Sequence, residues 1–159
     1  MNIEKKYELV VEAYNNAYAK YSNFQVGAVV ITKDGKYFLG SNIENASFGL
    51  TNCAERSALF SAYSNGVKKE DIEELVLIGK SNDFLYPCGA CRQVISELMN
   101  KDADVILTVS MLKLWNSYAG YEDYYNNCMK NEYEFCIAKS TPHELRNVHT
   151  TNYQYLQDF

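Results

Sequence analysis

Two short stretches constrain this chain more than any others: Asn52-Cys53-Ala54-Glu55-Arg56 and Pro87-Cys88-Gly89-Ala90-Cys91-Arg92. Each reads as the start of a helix. Cys53 precedes a small-residue pattern (Ala54, Ala58, Ser61, Ala62) that predicts a helix from Cys53 to about Ser64, closed by Asn65-Gly66. Pro87 marks a boundary before a second helix, from Cys88 to about Met99, with Val94, Ile95, Leu98 and Met99 on its apolar face. Three sulfurs that share one site require a fold that brings two helix N-termini to a single point.

The rest of the chain supplies such a fold. Ile3 to about Lys20 carries apolar and tyrosine residues at near-helical spacing. Val26 to Thr32 is β-branched and apolar, and Asp34-Gly35 joins it to Lys36–Gly40, which predicts an antiparallel hairpin. Ser41 to Thr51 is a polar loop. Strands follow over Glu74–Lys80 and Asp104–Val109, separated by the second cysteine helix. This alternation implies parallel strands joined by a crossover helix. The expected architecture is α/β: three layers, α/β/α, around a mixed central sheet. Residues 1–110 form the catalytic domain in this reading. The aromatic stretch beyond Ser110, with Trp115, Tyr118, Tyr121, Tyr124 and Tyr125, is an extension over 111–159 that holds a strand and a helix and packs on the same domain.

Charge and composition exclude several roles. The formal charge is −5 and no Lys/Arg cluster is present, which argues against nucleic-acid binding and for a small polar ligand. The charged start Met1–Lys6 lacks a following apolar run, so neither a secretory signal nor a membrane span is expected, and the expected location is the cytoplasm. The odd set of cysteines, Cys53, Cys88, Cys91, Cys128 and Cys136, does not fit a disulfide framework.

Thiolates favour tetrahedral zinc, and Cys88-x-x-Cys91 places two sulfurs on the first turn of one helix. Cys53 supplies the third, leaving a fourth position open. Helix N-termini stabilise thiolates, and Arg56 or Arg92 can donate hydrogen bonds to sulfur. The competing reading is a closed four-thiolate site completed by Cys128 or Cys136. Glu55, two residues after a ligand, is the candidate general acid–base. Its competing reading is a capping box, with Asn52 as N-cap and Glu55 three residues on. His143 and His149 read as surface residues.

These motifs resemble those of the small homotetrameric zinc-dependent cytidine deaminases. The zinc-deaminase signature has His or Cys, then Glu two residues later, then P-C-x-x-C. Here it reads Cys53-Ala54-Glu55 and Pro87-Cys88-Gly89-Ala90-Cys91. The resemblance extends to Tyr21-Ser22-Asn23-Phe24-Gln25-Val26-Gly27-Ala28 and to Gly40-Ser41-Asn42-Ile43-Glu44-Asn45-Ala46-Ser47, over roughly residues 7–110. It implies one zinc per subunit on Cys53, Cys88 and Cys91, with Glu55 as proton carrier. The implied reaction is hydrolysis of cytidine and deoxycytidine to uridine and deoxyuridine with loss of ammonia, in pyrimidine salvage.

The resemblance further implies that Phe24 stacks on the base, Asn42 and Glu44 bind the ribose 3′-hydroxyl, and the Ala54 N–H holds the base carbonyl. Arg56 tunes the thiolate charge, and the homotetramer shares its active sites. Departures are Lys20 in place of the usual proline, Phe48 in place of a tyrosine lent to the neighbouring subunit, and the absent C-terminal Leu-Pro-Gly-Ala-Phe element. A deaminase of a modified cytosine nucleoside or nucleoside antibiotic, and a non-catalytic zinc-binding protein, are the alternatives.

Overall fold

The computed structural model describes residues 1–81, 84–108 and, as backbone, 109–110 and 135–140. The chain runs α1 (Ile3–Asn15), β1 (Val26–Thr32), β2 (Tyr37–Ser41), α2 (Ala54–Ser64), β3 (Ile72–Gly79), α3 (Gly89–Leu98), β4 (Asp104–Ser110) and β5 (Phe135–Ser140). Five strands form one sheet in the order β2-β1-β3-β4-β5. The β1–β2, β1–β3 and β4–β5 pairs are antiparallel and the β3–β4 pair is parallel, so the sheet is mixed as its sequence predicts. Asp34-Gly35 makes the hairpin turn, with Gly35 at a φ of +84°.

Strand alternation divides the core into two layers. Ala28, Val30, Leu75, Leu77, Val105 and Leu107 face one cluster, which α2 and α3 complete with Ala54, Ala58, Leu59, Ala62, Cys91 and Ile95. Val29, Ile31, Val76, Ile78 and Ile106 face the other, beneath Leu9, Val10 and Ala13 of α1. This is the three-layer α/β/α arrangement, with α1 on one face and both cysteine-bearing helices on the other. A Lys6–Glu74 ion pair of 2.6 Å, largely shielded from solvent, ties α1 to β3.

Helix α1 stops five residues short of the expected Lys20. The chain leaves the helix at Asn16, and Tyr18 makes a parallel bridge to Ile43. The Tyr18 N–H donates to Asn42 O at 2.9 Å and the Glu44 N–H donates to Tyr18 O at 2.9 Å. Those backbone bonds outweigh the helical spacing of the tyrosines, which are left half-exposed: Tyr18 at 46% and Tyr21 at 50%. The loop between β2 and α2 also holds a 3₁₀ turn, Phe48–Leu50, that its polar composition does not announce. Beyond Ser110, β5 lies in register against β4; the helix expected in that region falls outside the described residues. Among the described residues, no helix is long and apolar enough to cross a membrane.

Gly40 sets how closely α2 approaches the sheet. A Cβ there would collide with the Ala54 carbonyl and the Ala58 N–H, the backbone of the helix itself. Backbone cannot step aside as a flexible side chain can, so Gly40→Ala forces α2 away from β2. We expect it to destabilise the protein by about 3 kcal/mol, the upper end of overpacking effects, and to lower its zinc content. Gly49→Ala, which meets nothing within 4 Å, should stay within about 0.5 kcal/mol of the parent in urea denaturation.

Candidate active site and metal centre

Helix α2 begins at Ala54 with Cys53 as its N-cap, and α3 begins at Gly89 with Cys88 as its N-cap. Both caps have extended backbone, which turns the cysteine side chains ahead of the helix ends. Cys91 lies one turn into α3 and is fully buried, whereas Cys53 is half-buried and Cys88 exposed. The three sulfurs lie within 4.8 Å of one another. Cys53 Sγ and Cys88 Sγ are 3.9 Å apart. That separation is far beyond a disulfide bond. It is close to the roughly 3.8 Å between two sulfurs at zinc–sulfur bond length on a tetrahedral centre.

The donor set fits a divalent cation on chemical grounds as well. A hydrogen bond from the Cys91 thiol, reinforced by Arg56, brings Cys53 down to about 5. Cys91 is pushed up, first by its bond to Cys53 and then by burial. Cys53 is therefore held readily as a thiolate while Cys91 resists ionising beside it, an imbalance that a bound cation removes. The two arginines divide their work. Arg56 Nη2 donates to Cys53 Sγ at 3.6 Å, while Arg92 Nη1 donates to Pro87 O at 3.0 Å and braces the loop before α3. Of the thiols in the competing four-thiolate reading, Cys128 and the side chain of Cys136 lie outside the described residues, as do His143 and His149.

Glu55 is the second residue of α2 and not the third, so no capping box forms. Asn52 is occupied elsewhere: its backbone exchanges hydrogen bonds with Ile43, and its side-chain amide donates to Ser57 Oγ at 3.1 Å. The Glu55 carboxyl is 5% exposed, and burial pushes it up to about 7, with the Cys53 charge adding to the rise. A buried carboxyl that holds its proton near neutrality is suited to proton transfer. Ala54, first in the helix and fully buried, has an N–H with no intrahelical acceptor.

The remaining predicted residues are linked to this centre through backbone pairing. Ile43 bridges Asn52, the neighbour of Cys53, and so brings Asn42 and Glu44 to the start of α2. Asn42 Oδ1 accepts from the Val26 N–H at 2.8 Å, and its Nδ2 donates to Phe24 O at 2.8 Å. Glu44 accepts from the Tyr21 and Ser22 N–H groups at 2.8 and 3.1 Å and from Ser22 Oγ. The Ser22 hydroxyl and these N–H groups hold its carboxyl below the ordinary range. Phe24 is half-buried and is not among the side chains packed against either core cluster of the described residues. Its ring is therefore not committed to the core. Ser22 is given no role of its own by the sequence; the signal for it is a serine two residues before a backbone N–H it can cap.

The description "Cytidine and deoxycytidylate deaminase zinc-binding region" belongs to the family model that matches residues 1–108. The chain belongs to this family. It is 50% identical over 97 residues to the cytidine deaminase of Halalkalibacterium halodurans, covering 61% of this chain and 72% of that one. It is 43% identical over 108 residues to the cytidine deaminase of Sporosarcina psychrophila, covering 68% and 78%. The crystal structure of cytidine deaminase from Burkholderia pseudomallei superposes with a TM-score of 0.72 at 36% identity, over 91% of this chain and 96% of that chain. As a family member with a three-sulfur cluster of the right dimensions, the protein has a site for one zinc ion per subunit.

Metal analysis of the purified protein should find one zinc per chain, and Cys91→Ser should lose it. Arg56→Gln removes a donor to a ligand but no ligand. It should keep the zinc while binding it about 10- to 100-fold more weakly in a competition titration with a chromophoric chelator.

Proposed function

We propose that this chain catalyses the hydrolytic deamination of cytidine and deoxycytidine to uridine and deoxyuridine, with release of ammonia, as a step of pyrimidine salvage. The observation that carries the reading is Glu55: a buried carboxyl, pushed up to about 7, two residues beyond Cys53 and its sulfur cluster. Relatives named as cytidine deaminases support it.

Zinc on Cys53, Cys88 and Cys91, when bound, supplies Lewis acidity that lowers the pKa of water toward neutrality. The chain's own residues do the rest. Glu55 takes a proton from the attacking water and gives it to N3 of the cytosine. As the water oxygen bonds to C4, Glu55 takes the remaining proton from the new hydroxyl and gives it to the amine, whose bond to C4 breaks to release ammonia and leave the C4 carbonyl. The Ala54 N–H, unpaired within its helix, holds the base carbonyl. Phe24 stacks on the pyrimidine, and Arg56 offsets the thiolate charge through Cys53.

Hydrogen-bond counting supports the sugar assignment. A carboxylate offers about four acceptor sites, and a side-chain amide has two donor hydrogens. Three of the Glu44 sites and one Asn42 hydrogen are engaged by the described residues. One acceptor on Glu44 and one donor on Asn42 remain, which is what a single hydroxyl needs. The 3′-hydroxyl is common to ribose and deoxyribose, so both nucleosides fit.

We further propose a homotetramer with shared active sites. Phe48 and Leu50, each 73% exposed on the loop that leads to Cys53, support it as apolar side chains suited to cover by a neighbouring subunit. We divide the chain into a catalytic domain over 1–110 and an extension over 111–159 packed on it. A reducing cytoplasm suits three clustered thiols, because an oxidising compartment favours disulfides.

Incubation of the zinc-loaded protein with cytidine should release ammonia and uridine in equal amounts. Glu55→Gln should retain zinc and lose at least about 10²-fold in kcat. Zinc-loaded wild-type protein with no turnover on either nucleoside, or a Glu55→Gln variant of near-normal activity, would refute the proposal.

A further inference from the structure

We infer that Ser22 is a positioning residue for nucleoside binding: its hydroxyl couples the orientation of the Glu44 carboxylate to the placement of Phe24. The inference rests on the roles proposed above for those two side chains. Ser22 Oγ donates to Glu44 Oε1 and accepts from the Phe24 N–H at 3.1 Å, so one hydroxyl touches the Glu44 carboxylate and the backbone that carries the Phe24 ring. The Ser22 N–H holds the second carboxylate oxygen at 3.1 Å, which fixes the carboxylate plane against the turn.

The turn itself is tightly determined. Asn23 adopts a φ of +54°, the one positive value at a non-glycine position among the described residues. Asparagine tolerates that conformation better than most residues. The Asn23 N–H donates to Ala19 O at 2.8 Å, and its carbonyl accepts from Lys80 Nζ at 2.9 Å. Asn42 then clamps the far side by bonding both Phe24 O and the Val26 N–H. Between these anchors, the Ser22 hydroxyl is the side-chain link from the turn to Glu44. Without it, Glu44 Oε1 gains a second open acceptor site and the Phe24 N–H loses its acceptor. The sugar contact then becomes less directed and the ring less fixed, while the metal centre is untouched.

The test compares Ser22→Ala and Ser22→Thr with Phe24→Ala and Glu44→Gln, using steady-state kinetics on cytidine and on 3′-deoxycytidine. Ser22 is exposed, so threonine keeps the hydroxyl with room for its methyl group. Ser22→Ala should raise the KM for cytidine about tenfold, with kcat within about threefold of wild type and zinc content unchanged. The rise should be smaller on 3′-deoxycytidine, which lacks the hydroxyl that Glu44 receives. Ser22→Thr should restore the cytidine KM to within about twofold of wild type. If Ser22→Ala leaves the cytidine KM unchanged while Phe24→Ala and Glu44→Gln raise it, the inference falls and the proposed substrate grip stands. If none of the three changes KM, the grip itself is wrong and the inference falls with it. Loss of folding, zinc or kcat in Ser22→Ala, or an equal KM rise on both nucleosides, marks a purely structural role and overturns it.

Discussion

Like charges at one point govern this structure. Three sulfurs within 4.8 Å cannot all ionise on their own. At an effective dielectric near 20, two thiolates about 4–5 Å apart repel by roughly 3–4 kcal/mol, so three pairs come to about 10 kcal/mol. A helix N-terminus returns about 0.3–2 kcal/mol to a nearby anion. Two helix ends and the single Arg56 donor therefore fall well short, and a divalent cation is needed to balance the account. The asymmetry between Cys53, brought down to about 5 by the Cys91 thiol and Arg56, and Cys91, pushed up by its bond to Cys53 and by burial, follows from the same crowding of charge.

The fold holds the sulfurs together against that repulsion by making both cysteine helices part of one core layer. Ala54, Ala58, Leu59 and Ala62 of α2 and Cys91 and Ile95 of α3 are buried against the same sheet face. Burying a side chain such as Leu59 or Ile95 stabilises by about 1.5–3 kcal/mol. Few such contacts match the repulsion within the site. Tyr63 Oη also donates to Leu98 O at 2.9 Å, which links the two helices directly. Gly40 lets α2 lie against β2 with the Ala54 carbonyl and the Ala58 N–H at the strand backbone, and Ala54, Glu55 and Ala58 of that helix are buried.

The layers of the fold were legible in the sequence because they depend on period alone. Val26–Thr32 and the two later strands send alternate residues to two clusters, as uninterrupted apolar runs buried on both faces must. The sulfur cluster was legible because its spacing and its helix starts encode it. The end of α1 was not, since Tyr18 and Tyr21 continue a helical period while their backbone is drawn to Ile43 and Glu44, partners more than twenty residues away. The same long-range pairing removes the competing capping-box reading of Asn52. Its spacing from Glu55 suggests a capping box, but its backbone is committed to Ile43 and the helix starts at Ala54. Local pattern cannot register a competitor that arrives from elsewhere in the chain.

Asn42 and Glu44 show why binding and structural readings of a polar loop need not exclude each other. Both are buried, and both spend most of their hydrogen bonds on the segment that carries Phe24. An unbound carboxylate in such a place would be costly if it depended on substrate for its partners. Here three internal donors satisfy Glu44 before any ligand arrives, and the Ser22 hydroxyl keeps its carboxyl below the ordinary range. The group is consequently ionised and fixed in direction in the free protein. A hydroxyl that binds to it meets an acceptor already aligned, so little orientational freedom is lost on binding. In the proposed sugar site, the structural bonds of these two residues are therefore also what would align them for a hydroxyl.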